Sequence, residues 1–310
     1  MRVVFATGSH VWDDAARAAH EAPLRAAAGA PTEFVWHDGI AGAHIAVGTA
    51  RLDVAVADAR DLVGVGSVEP HWFAGLTGAH KTLTVGVMRR DDIAASHVHA
   101  MEPNALPFRL AGNPVHEGFV RVIEALETGR RVVALQECAG RWFGGAPLAC
   151  LAAAAPLART RWLHAIHVSK PLDFLVAVVE PPLSRTLYQA EKGVKNNEFA
   201  VADGGTILLD AECEDGVGPS RFFEMLLAAP DVATSRERIA ADGYRLGDHK
   251  AHRLRALQAR GVRIGIVSRS FPKASGHSVG IDVFPTREEA AKTLSGRGAV
   301  VLDAGNMVVF

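Results

Sequence analysis

The chain has 310 residues, with 33 Lys and Arg against 34 Asp and Glu, and 49% of its residues are hydrophobic. Near-neutral charge removes the basic face that nucleic acid or an anionic membrane surface requires, and the apolar content excludes a disordered chain. At roughly 150 residues per domain the length suits two domains. Residues 2–6 read as a strand ending at Gly8, and their apolar run is too short for a signal-peptide core. An alanine-rich helix follows from about Asp13, whose carboxylate suits a helix start. Further strands are expected at 32–36, 53–57 and 82–87, a helix at 115–127 stopped by Gly129, and a buried strand at 132–135. After Ala139 an alanine-dominated helix is expected to about residue 158; it includes the longest apolar stretch, which Pro156 breaks well short of the ~18 residues a membrane span needs. A cytoplasmic protein is therefore expected.

In the second half, strands are expected at 164–168, 174–179, 206–210, 262–267, 299–302 and 307–310. Helices are expected at 187–199, 220–227, 235–241, 250–260 and 286–294. This alternation predicts an α/β fold: two α/β domains with mostly parallel sheets and a cleft between them, spanning 1–160 and 161–310. Cys138, Cys150 and Cys213 are odd in number and far apart, so buried reduced thiols are expected rather than a disulfide framework or a zinc ribbon.

Of 14 histidines, nine lie in the first 116 residues. The densest chemical cluster runs from Pro70-His71-Trp72-Phe73-Ala74-Gly75 through Leu76-Thr77-Gly78-Ala79-His80-Lys81, after Gly64-Val65-Gly66. Its small residues allow tight turns and expose backbone N–H groups, but neither a Walker loop nor a dinucleotide fingerprint is present. Imidazole titrates near neutrality and ligates nickel or zinc, so several histidines in turn-rich loops fit acid–base or metal work. His97 and His99 would share a face in an extended segment and not on a helix, so spacing leaves open which of them binds anything.

Ala6-Thr7-Gly8-Ser9-His10, the His71–Lys81 cluster, His97 and Gly112-Asn113-Pro114-Val115-His116-Glu117 occur in that order. Ser169-Lys170-Pro171-Leu172-Asp173, Leu187-Tyr188-Gln189-Ala190-Glu191-Lys192-Gly193, Gly204-Gly205-Thr206-Ile207 and Gly247-Asp248-His249-Lys250-Ala251 follow. In these motifs the chain resembles the nickel-dependent lactate racemase family and its 2-hydroxyacid racemase and epimerase relatives. The resemblance implies a racemase or epimerase of a small, lactate-like 2-hydroxy acid. Its cofactor would be pyridinium-3,5-bisthiocarboxylic acid mononucleotide, a nickel pincer nucleotide joined covalently to Lys81 and supplied by cofactor-biosynthesis proteins. His97 would ligate nickel, and Gly75, Thr77 and Gly78 would line the cofactor loop. His10 and His71 would be the paired acid–base residues while hydride leaves the substrate carbon and returns to its other face. Gln189 and Lys192 would anchor the substrate, and His249 would touch it.

Set against the family, the chain starts almost at the His10 loop, so an amino-terminally shortened member is expected, without the upstream segment that carries a substrate-gripping arginine. Thr77, Ala79, Val85 and Val11-Trp12 depart from the family pattern, and Trp12 is expected to reshape the pocket. Two other readings stay open: a non-catalytic nickel or cofactor-binding homologue, and a metal-dependent hydrolase or lyase that uses the histidine cluster.

Overall fold

The computed structural model describes residues 1–28, 31–165 and 170–310. They form two compact units, one of residues 1–69, 76–99 and 110–157, the other of 70–75, 100–109 and 158–310. Both are α/β, and strand pairing among the described residues is mostly parallel, although the first unit mixes parallel pairs with antiparallel ones such as His44–Val47 with Ala50–Asp53.

In the first unit, Arg2–Phe5 pairs in parallel with Glu33–Trp36, with helix Asp14–Ala27 between them in the chain. Asp13 caps that helix by accepting the Ala16 N–H at 2.7 Å, so the local signal set the local structure. A second sheet places Arg131–Cys138 between Asp61–Ser67, parallel, and Arg141–Gly145, antiparallel. Helix Pro114–Glu127 starts with proline in its first turn and the Asn113 side chain as cap, and it buries Val115, Phe119, Val122, Ile123 and Leu126.

In the second unit, five parallel strands lie in the order Ile281–Phe284, Arg263–Val267, Val201–Asp210, Leu172–Val178, Gly298–Val301. Near-continuous apolar strands are what a sheet covered on both faces requires. Leu175, Ala177, Ile207, Leu209, Ile264 and Ile266 belong to the larger core, together with residues of helices Leu187–Asn197, Ser220–Ala228 and Asp248–Ala259. Leu208 and Val267 pack instead with Ala290 of the short helix Arg287–Ala291.

Several expected elements differ. Residues 53–57 are not a strand: Asp53 ends the strand Ala50–Asp53, and its carboxylate accepts the Ala55 N–H at 2.9 Å to start a helical turn. Residues 82–87 are not a strand either, because Thr82 and Thr84 donate their hydroxyls to the carbonyls of Val65 and His80, which closes the chain into turns. After Ala139, which has positive φ, the chain forms the hairpin strand Arg141–Gly145 before helix Pro147–Trp162 begins. Of the strand expected at 164–168, Leu163–His164 pairs with Val308–Val309, while His167, Val168 and motif residue Ser169 lie outside the described residues. No helix among the described residues is long and apolar enough to cross a membrane. The three cysteines are buried and unpaired, and burial pushes the Cys138 thiol up to about 11 and the Cys213 thiol up to about 12.

Candidate active site

The first unit holds His10, Thr77, Gly78, Lys81 and His97; the second holds His71, Gly75, Gln189, Lys192 and His249.

His10 is exposed on the turn after the first strand, its N–H donating to Thr7 O at 3.1 Å. Gly8 in that turn donates its N–H to Gly86 O, and Gly86 donates to Lys81 O, each at 2.8 Å. Backbone bonds therefore link the turn of His10 to the turn that follows Lys81. A Cβ on Gly86 would meet Ala6 Cβ at 2.8 Å, which explains why the close approach needs glycine. Trp12 packs on His20 and Trp36, with ring centroids 4.6 and 5.6 Å away.

Lys81 is half-buried on the short helix Ala79–Thr82. Gly78 precedes it at φ +143° and ψ 177°, a conformation open essentially to glycine alone. Gln136 Oε1 accepts the N–H of Ala79 at 3.1 Å. The Thr77 hydroxyl donates to Ser67 O at 2.7 Å and accepts the Glu69 N–H at 2.8 Å, so it closes the loop. His80, beside Lys81, is fully buried with its ring 5.3 Å from that of His116. Among the described residues neither nitrogen of His80 nor Nδ1 of His116 has a hydrogen-bond partner, and burial holds both imidazoles below their ordinary range, His80 well below.

His97 ends helix Arg90–His97 and is half-buried. Ser96 Oγ donates its one proton to Ile93 O at 2.8 Å, so at 2.9 Å it accepts from His97 Nδ1. The ring proton is thereby fixed on Nδ1 and the lone pair on Nε2, the state in which imidazole takes up a metal. His99 is exposed on the following 3-10 turn.

His71 ends the short strand Pro70–His71, from which a turn leads to Gly75–Leu76. The Ala74 N–H donates to His71 Nδ1 at 3.2 Å. A backbone N–H can only donate, so Nδ1 is the acceptor and the neutral ring carries its proton on Nε2. Gly75, at φ +79°, accepts the Phe108 N–H at its carbonyl, 2.9 Å away. Trp72 is 2% exposed and lies under the cationic groups of Lys250 and Arg253, at 5.7 and 5.0 Å from its ring. Arg253 also donates to the carbonyls of Ala100 and Ala105 and pairs with Glu198 at 3.0 Å.

Gln189 and Lys192 are half-buried, three residues apart on helix Leu187–Asn197, which Thr186 caps through the Gln189 N–H. The other side of that helix is fastened by Glu191, fully buried, whose carboxylate receives the Lys250 ammonium at 2.5 Å. His249 is 2% exposed, with Nδ1 2.5 Å from the Tyr244 hydroxyl. Sequence reasoning gave no role to Ser96 or Tyr244; Ser96 adjoined a candidate ligand, whereas nothing local marked Tyr244.

Residues 1–106 match the model for the lactate racemase N-terminal domain and residues 175–245 that for the lactate racemase C-terminal domain. The lactate racemase of Thermoanaerobacterium thermosaccharolyticum is 25% identical over 231 residues, 68% of this chain and 52% of that one. The lactate racemase of Lactiplantibacillus plantarum is 26% identical over 193 residues, 59% of this chain and 44% of that one. The chain thus spans about half the length of these curated relatives. In fold it matches the lactate racemase apoprotein structure from T. thermosaccharolyticum with a TM-score of 0.89 at 21% identity, covering 100% of this chain and 78% of that one. A Thermotoga maritima protein matches with a TM-score of 0.72 at 12% identity, covering 100% and 85%. With both domain models of the family matching, over residues 1–106 and 175–245, the chain belongs to the lactate racemase family.

Proposed function

We propose that the chain is a racemase or epimerase of a small 2-hydroxy acid such as lactate and works with a lysine-tethered nickel pincer nucleotide. The observation that carries this reading is the Ser96–His97 pair, which leaves the Nε2 lone pair as the donor suited to nickel. Lys81, on its glycine-started helix, is the attachment point. When bound, the nucleotide supplies a hydride acceptor. Gln189 and Lys192 hold the substrate, the amide by hydrogen bonds and the ammonium by offsetting the carboxylate charge.

His10 and His71 exchange the hydroxyl proton, one for each enantiomer. In the present conformation His71 is neutral with its proton on Nε2, which can hydrogen-bond a substrate oxygen but is not the acid form of the ring. To accept a proton at Nε2 the ring must release Ala74 and carry its own proton on Nδ1 instead. Acceptance then gives an imidazolium, and that doubly protonated ring is the donor when the reaction runs the other way.

The test uses protein from a cofactor-making host and lactate deuterated at the carbon bearing the hydroxyl. Inversion with the label retained is the expected result, because hydride does not exchange with water. Loss of the label to solvent would show carbanion chemistry and overturn the reading.

A further inference from the structure

We propose that Tyr244 and His249 are positioning residues for His71, holding its ring where Nδ1 receives the Ala74 N–H. The inference rests on the racemase reading for its consequence, but its geometry lies wholly within the second unit.

An aromatic ladder makes the connection. Phe73 stands edge-on to His71, with centroids 4.4 Å apart and planes at 89°. His249 packs on Phe73 at 5.4 Å and 74°, and lies nearly parallel to Trp72 at 5.7 Å and 18°. Trp72 and Phe73 are themselves perpendicular, 4.6 Å apart. The ring of His249 thus backs both aromatic residues of the turn that begins with His71, and its own rotation sets where Phe73 can stand.

A hydrogen bond with Tyr244 bears on that rotation. The Tyr244 hydroxyl lies 2.5 Å from His249 Nδ1, a hydrogen bond in which the phenol can donate or accept. Burial raises the Tyr244 pKa, which keeps the proton on the phenol. Turning the His249 ring over would break this bond and leave a nearly buried Nδ1 without the Tyr244 hydroxyl. Gly247, at φ +107°, and the helix start at Asp248 hold the backbone of His249. Phe73 and the Ala74 N–H both bear on the orientation of His71. On this view His249 acts from behind the turn and does not contact substrate.

Imidazole NMR on isotope-labelled, full-length protein tests the proposal with no dependence on activity. In the wild type, His71 should appear as one Nε2–H tautomer; in Tyr244→Phe it should become a mixture of tautomers. In protein that racemises lactate, Tyr244→Phe should also lower kcat by about tenfold through misorientation, with KM held within about twofold. Should Tyr244→Phe fail to fold, His249→Phe keeps a ring against Phe73 and Trp72 while removing the same bond, and the same mixture is expected. A single, unchanged His71 tautomer in the folded variant overturns the proposal. If the tautomer mixes in the variant while the wild type racemises nothing, the positioning role is upheld and the functional reading fails.

Discussion

At the scale of residues, the histidines divide by where their protons are held. Ser96 fixes the proton of His97 on Nδ1, and a second partner of this kind commonly changes metal affinity by 10–100-fold, so Ser96→Ala should lower nickel retention by roughly tenfold. Metal analysis after dialysis of the loaded protein measures it. His80, His116 and His252 are different: burial holds all three below the ordinary imidazole range, His252 at about 4. The unfolded chain therefore binds more protons than the folded one once pH falls below about 6.5, and stability should decline from there downward. Urea midpoints at about pH 7.5 and about pH 5 should show the loss. In His80→Leu the slope should be shallower, with stability at the higher pH kept or raised, because an unpartnered buried ring has been replaced by an apolar group. None of this was legible in the sequence, where His80 is one more histidine beside a lysine; its burial comes from chain distant in sequence.

Elements were legible where their cause is local. Asp13 and Asn113 cap helices within three residues of themselves, and Gly129 takes the positive φ that follows helix Pro114–Glu127. The strand Asp61–Ser67 was hidden because Gly64 and Gly66 look like loop residues. They are the inner face of a strand that receives helix Ala79–Thr82 and the residue after it: a Cβ on Gly64 would stand 2.7 Å from Leu83, and one on Gly66 3.0 Å from the Thr82 hydroxyl. The candidate-site motifs were found as motifs, but not which hydroxyls and N–H groups hold their histidines, since Ala74 contributes only backbone. Gly78 belongs to this scale. Alanine there would meet strain from φ +143° and a Cβ 2.9 Å from Gln136 Oε1. Gly78→Ala should cost roughly 1–3 kcal/mol by denaturant unfolding and loosen the start of the Lys81 helix.

For the whole molecule, the sequence pattern showed two α/β regions but not that the second unit contains 70–75 and 100–109. Those segments carry Trp72 and the carbonyls of Ala100 and Ala105, all held by Arg253. A fragment of residues 158–310 leaves that partly buried guanidinium without these partners, so it should unfold at lower urea than the same unit in the intact chain. Equal midpoints would contradict this. The chain changes unit at 69/70, 75/76, 99/100, 109/110 and 157/158. On the ribosome this becomes a matter of waiting: Trp72 and Phe73 are synthesised long before helix Asp248–Ala259 exists to cover them. At roughly 5–20 residues per second the delay is on the order of ten seconds, during which both rings lack that cover.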